Sequence, residues 1–169
     1  MKRTITAFLV VVTFGLQAQN ADSTKASIAQ RLTDELGIIE PKKEWPTWAL
    51  MFVAGAADGL SQDLLFHYHE FERSTGATNH QYWDSDLSWR NKYRNGDPSQ
   101  GAAFWGSTTF FVGLTDGYHA CRSVRDLMVV IAIATSDKPL SKKQAAYRAF
   151  TYSLAYGAGF TLVYDVLIE

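Results

Sequence analysis

Residues 104–136, FWGSTTFFVGLTDGYHACRSVRDLMVVIAIATS, are apolar at both ends and charged in the middle, and no other stretch limits the possible folds so strongly. The pattern predicts one long helix. Its apolar ends call for burial in protein or lipid, whereas Asp116, His119, Arg122, Arg125 and Asp126 cannot leave water unless partners meet them. At 100° per residue, Asp116, His119, Arg122 and Asp126 spread over one broad face, and Phe110, Leu114, Cys121 and Met128 form the opposite stripe. Two faces imply two different neighbours. At about 1.5 Å per residue such a helix would exceed a hydrocarbon layer of roughly 30 Å, leaving the charged half to project beyond it.

Two further runs supply the neighbours. From Pro46 through residue 71 the chain reads as a helix, because proline suits a first turn and Trp48 to Ala57 is apolar all round. Asp58, Gln62 and His69 then fall near one line, and Asp63, His67 and Glu70 form a second. Residues 142–169 read as the last helix, capped by Ser141 and carrying Asp165 in an otherwise apolar stretch. Gly55-x-x-x-Gly59 and Ala155-x-x-x-Gly159 each allow a close helix contact. Together the runs predict an all-α fold, a small bundle of three long membrane-embedded helices with an aromatic polar loop between the first two. The alternative is a soluble helical protein, periplasmic or secreted. Mean hydropathy of −0.12 favours it, as does the lack of 18 residues without charge in any of the three runs. Small-residue contacts and flanking tryptophans weigh toward the membrane.

The N-terminus sets the compartment. Met1-Lys2-Arg3 is a positive n-region, residues 5–16 an apolar h-region, and Leu16-Gln17-Ala18 permits cleavage after Ala18. Residues 1–18 therefore read as a signal peptide, with an uncleaved anchor as the alternative, and the chain is expected in the cell envelope, at the inner membrane. Residues 19–44 form an N-terminal amphipathic segment with Ile28, Leu32 and Leu36 at four-residue spacing, and residues 45–169 form the helical domain. A cleaved signal followed by three spans would put Lys42, Lys43, Lys138, Lys142 and Lys143 outside, against the positive-inside tendency. A reentrant or kinked central segment would ease that conflict.

The loop 72–103 is too long for a connector and too aromatic for disorder. Trp83, Trp89 and Tyr93 interleave with Arg90, Lys92 and Arg94, a mixture able to meet phosphate or a lipid headgroup, while Asp84, Asp86 and Asp97 balance the charge nearby. A structural cap over the helix ends is the favoured role. Asn95-Gly96-Asp97-Pro98 predicts a tight turn.

Sixteen Lys+Arg against seventeen Asp+Glu remove any global basic field, so nucleic acid is excluded as a partner class. The single Cys121 supports neither an internal disulfide nor a thiolate metal cluster. Membrane lipid is the expected partner, with a protein partner or a second copy of the chain also open.

The blocks FHYHEF at 66–71, YWDSDLSWRNKYRNGDP at 82–98 and FWGSTTFFVGLTDGYH at 104–119 resemble recurring blocks of a family of small, uncharacterised bacterial proteins. The resemblance spans the middle third of the chain. It implies that the three blocks belong together and supplies no mechanism.

Two chemistries are open to these residues. Asp116 and His119 stand one helical turn apart, and with His67 and His69 they could ligate a divalent metal in a membrane enzyme, hydrolase-like, acting on lipid or envelope substrate. No HExxH is present, and His67 and His69 diverge by about 160° on one helix. The favoured role is a buried polar network of Asp58, Gln62, Asp63, Asp116, His119, Arg122, Asp126 and Asp165 that fixes a non-enzymatic bundle.

Overall fold

The computed structural model describes residues 41–137 and 141–168, and every described regular element is helical. The signal peptide expected over residues 1–18 and nearly all of the amphipathic segment at 19–44 lie outside the described residues. Six α-helices follow in order: α1 Pro41–Phe66, α2 Tyr68–Thr75, α3 His80–Trp83, α4 Ser85–Ser88, α5 Gly117–Thr135 and α6 Lys142–Leu162. A π-helical turn, Val163–Leu167, continues α6. The all-α expectation holds, and the three long helices are α1, α5 and α6. One of them, over Glu44–Phe66, is long and apolar enough to cross a membrane by length and composition.

The chain divides into two compact units. In the smaller, Met1–Trp45 with Lys138–Ala149, the Arg148 guanidinium donates to Glu44 Oε1 at 2.8 Å, with both side chains buried. The larger, Pro46–Asp137 with Phe150–Glu169, holds every other feature described below.

Contacts within the larger unit fix helix directions. Along α1 and α6 the paired residues rise together: Trp48 Nε1 donates to Thr151 Oγ1 at 3.3 Å, Gly55 faces Tyr156, Gly59 faces Phe160, and His67 meets Tyr164. The two helices are therefore parallel. Asp58 meets Arg125 while Leu64 clusters with Cys121, so α5 runs antiparallel to α1. The glycines make the α1–α6 approach possible. A Cβ on Gly55 would strike the Tyr156 carbonyl, and one on Gly159 would strike the Phe52 carbonyl.

Three helix boundaries differ from the sequence expectations. First, α1 starts at Pro41 and takes Pro46 into its interior at the cost of one backbone hydrogen bond. It stops at Phe66, where His67 leaves helical geometry at φ −133°, ψ 36°. Second, the expected helix over 104–136 is corrected to a shorter one. Asp116, extended at φ −160°, accepts the His119 N–H at 2.8 Å and so caps a helix that begins at Gly117. The preceding residues form tight turns, with Gly106 at φ +80° packed against the Phe111 ring. Third, the last helix ends its α-geometry at Leu162 and finishes in the π-turn.

The loop between α1 and α5 is folded on itself and caps one end of the bundle. Trp83 packs 5.5 Å from Phe71 and fills the space over Gly117, beside a core cluster of Leu64, Phe71, Cys121 and Ile168. Asn91 stitches the loop to the start of α5, its Nδ2 donating to the Gln81 carbonyl at 2.7 Å and the Thr115 carbonyl at 2.9 Å. The predicted turn is present, with Asn95 at φ +53° and Gly96 at φ +73°.

Candidate functional site

The polar residues gather at two separate places. The first joins all three long helices: Arg125 Nη1 donates to Asp58 Oδ1 at 2.8 Å, and the Tyr156 hydroxyl donates to Asp58 Oδ2 at 2.8 Å. Both Asp58 oxygens are thereby satisfied, and the ion pair is mostly buried. Arg125 also reaches Asp126 at 2.8 Å on the exposed side. A carboxylate held by a guanidinium and a phenol acts as a structural lock, since each of its oxygens already accepts from a protein donor.

The second is the cap of α5. Asp116 is 1% exposed, and its carboxylate meets the His119 N–H, His119 Nδ1 at 2.8 Å and the Thr115 hydroxyl at 2.9 Å. A carboxylate at Nδ1 orients the imidazole and leaves Nε2 as the ring's other polar atom. The dyad borders a cavity of about 170 Å³ that is also lined by Leu65, Ser85, Ser88, Trp89 and Tyr118. Ser88 is 1% exposed, and its Oγ has no hydrogen-bond partner.

Burial pushes the Asp116 carboxyl up, but the His119 imidazole and N–H and the Thr115 hydroxyl outweigh it and hold the group below its ordinary value. A depressed carboxylate stabilises the fold above its unfolded value, about 3.9, and that contribution disappears as pH falls through the lower folded value. We therefore expect a melting temperature that declines below about pH 4, with the Asp116→Ala variant lacking this component and starting about 1–2 kcal/mol less stable. Circular-dichroism melts of both proteins across that range measure the difference.

The other expected site residues lie elsewhere. His67 Nε2 sits 3.0 Å from the Tyr164 hydroxyl, and His69 lies at the surface, 3.8 Å from Glu72. The four candidate metal ligands thus do not meet: Asp116 and His119 pair, and His67 and His69 each turn to another residue. Among the described residues no three His, Cys, Asp or Glu side chains gather to hold a metal. Asp63 is 1% exposed with Oδ2 unpartnered, and Gln62 is half-buried. Arg122, Asp126 and Asp165 are exposed rather than buried, Arg122 lying over the Tyr118 ring and donating to its hydroxyl at 2.8 Å. Trp83 is half-buried in the cap, whereas Trp89, Arg90 and Arg94 are exposed and Lys92 and Tyr93 half-buried.

Sequence reasoning missed Tyr156, Thr115, Asn91 and the Glu44–Arg148 pair. The Ala155-x-x-x-Gly159 contact places Tyr156 on the edge of a close helix approach, which is the one available signal for it. No family model, curated protein or solved structure matches this chain.

Proposed function

We propose that the chain is a non-enzymatic integral membrane protein of the cell envelope, a bundle in which α1, α5 and α6 lie within the inner membrane and the 72–116 region caps one end for packing or partner contact. One observation carries this proposal, the polarity of the bundle. Asp58, Arg125 and the Tyr156 hydroxyl turn inward to one another, while Val124, Leu127, Val130 and Ile133 of α5 and Phe150 and Leu154 of α6 turn outward and are exposed, Arg122, Asp126 and Asp165 being exposed charges on the same helices. Among the described residues twenty large hydrophobic side chains are exposed and six apolar residues are buried, an imbalance that water would penalise at about 25 cal/mol per Å². Helices of 26, 19 and 21 residues have the length that hydrocarbon of roughly 30 Å requires. Close α1–α6 packing through Gly55, Gly59 and Gly159 suits helix association in lipid. The expected result is that the protein stays in the membrane pellet after an alkaline carbonate wash and leaves it only in detergent. Release into the carbonate supernatant would overturn the proposal.

A second reading, a metal-dependent membrane hydrolase acting on lipid or envelope substrate with Asp116 and the histidines as ligands or acid–base groups, has one observation in its favour. The Asp116–His119 pair borders the cavity in which Ser88 Oγ is buried without a partner. Elemental analysis of tag-free protein beside His119→Ala separates the two. A stoichiometric metal lost in the variant supports the metal enzyme, and absence of metal from both leaves the dyad as a helix cap.

A further inference from the structure

The turn at residues 104–111 combines order with exposure. Ser107 N donates to the Phe104 carbonyl at 3.1 Å, Thr109 N and Phe111 N both donate to the Gly106 carbonyl at 3.0 and 2.9 Å, and the Trp105 and Phe111 rings pack at a tilt with centroids 5.6 Å apart. Yet Trp105 is 81% and Phe110 86% exposed. A backbone this well bonded that holds rings in the open is built to present them. The same turn is stitched to the basic segment of the cap. Ala103 N and the Ser107 hydroxyl both donate to the Lys92 carbonyl, at 3.0 and 2.7 Å, and Arg94 N donates to the Gly101 carbonyl at 3.0 Å.

The cations there are held in no ion pair. Among the described residues no carboxylate forms an ion pair with Arg90, Lys92 or Arg94, although Asp84, Asp86 and Asp97 lie in the same segment; the Asp84 carboxylate accepts from the Asp86 N–H and that of Asp97 from the Ser99 N–H and Gln100. Arg90 lies over the Trp89 ring and Lys92 over Tyr93. Exposed aromatic rings beside unpaired cations form the composition of a membrane-interface anchor, with rings at the acyl boundary and cations among the phosphates. The turn also adjoins the outward row of α5, because Gly113 lies against Ser123, the neighbour of Val124, and Leu114 and Val124 are both exposed. A bilayer covering that row would reach this turn as well.

We propose that residues 104–111, together with Arg90, Lys92 and Arg94, form an interfacial anchor that seats Trp105, Phe110 and Phe111 in the bilayer and binds the phosphates of anionic phospholipids. This rests on the membrane reading of the bundle. It gives the cap a ligand class, the anionic phospholipid headgroup, rather than a protein partner.

The test uses the full chain in nanodiscs, with a nitroxide spin label at Thr109→Cys, which keeps all three rings, or at Ile133→Cys on the outward row of α5. The native Cys121 is buried. In discs of phosphatidylcholine with phosphatidylglycerol, the label at 109 is expected about 5–10 Å into the headgroup and acyl boundary, accessible to oxygen and shielded from a water-soluble nickel chelate. It should move toward water in phosphatidylcholine alone, or when Arg90, Lys92 and Arg94 are all changed to Ala. A label at 109 open to nickel with 133 shielded overturns the anchor and leaves the membrane reading standing. Both labels open to nickel overturns the membrane reading and the anchor with it. Depth at 109 that ignores lipid charge overturns the headgroup assignment, and spin–spin broadening between labels at 109 assigns the surface to a second copy instead.

Discussion

Gly55→Ala is expected to destabilise the bundle by about 3 kcal/mol, and Gly159→Ala by a similar amount, at the upper end for overpacking a tight contact. The added methyl in each case meets a backbone carbonyl on the opposing helix, Tyr156 for Gly55 and Phe52 for Gly159. A flexible side chain could swing away, but a helical carbonyl can yield only by moving the helix. Separating α1 from α6 would also draw Tyr156 away from Asp58 and loosen the polar lock. Gly157→Ala is the matched control on the same helix. Nothing lies within 4 Å of its added methyl, so it should gain the helix propensity of alanine, about 0.5–1 kcal/mol. Thermal unfolding in one detergent measures all three, and equal behaviour of Gly55→Ala and Gly157→Ala would show that the helices do not approach as described.

Breaking the lock from one side should cost still more. Arg125→Leu leaves the mostly buried Asp58 carboxylate with only the Tyr156 hydroxyl, and loss of one partner of a buried pair typically costs about 3–5 kcal/mol. Asp58→Leu strands the guanidinium less severely, because Arg125 retains Asp126 on the exposed side. Replacing both by leucine removes the charges together and should recover most of the loss. Tyr156→Phe removes one hydrogen bond to a charged acceptor, about 1.5–3 kcal/mol. A double-mutant cycle on Asp58 and Arg125 measures the coupling. Additive losses would mean that the two side chains do not meet.

The parts of this fold that sequence revealed are those set by local chemistry. The apolar runs with their small-residue faces located the three long helices, and Asn95-Gly96-Asp97-Pro98 located the turn in the cap. The helix expected over 104–136 failed because its hydrophobic composition concealed its punctuation. Asp116 stands three residues before His119 as an N-cap does, and Gly106 and Gly113 loosen the run before it, but apolar residues on both sides mask those signals. Reading that stretch as continuous helix also made one polar network out of two. Asp116 belongs to the cap with His119, while Arg125, further along α5, carries the contact to Asp58. Tyr156 and Asn91 were hidden for a different reason. Tyr156 reaches Asp58 across 98 residues of chain and Asn91 reaches Thr115 across 24, and helical periodicity says nothing about such partners.

Labelling from the lipid phase tests most directly whether the exposed apolar rows of α5 and α6 face hydrocarbon while the Asp58–Arg125–Tyr156 contact faces protein. A carbene generated from an apolar diazirine dissolved in native membranes, followed by peptide mass mapping, should mark Val124, Leu127, Val130, Ile133, Phe150 and Leu154. It should spare Asp58, Cys121 and Ala132, which face protein. Labels absent from the outward row, or spread evenly over both sets, would contradict the account.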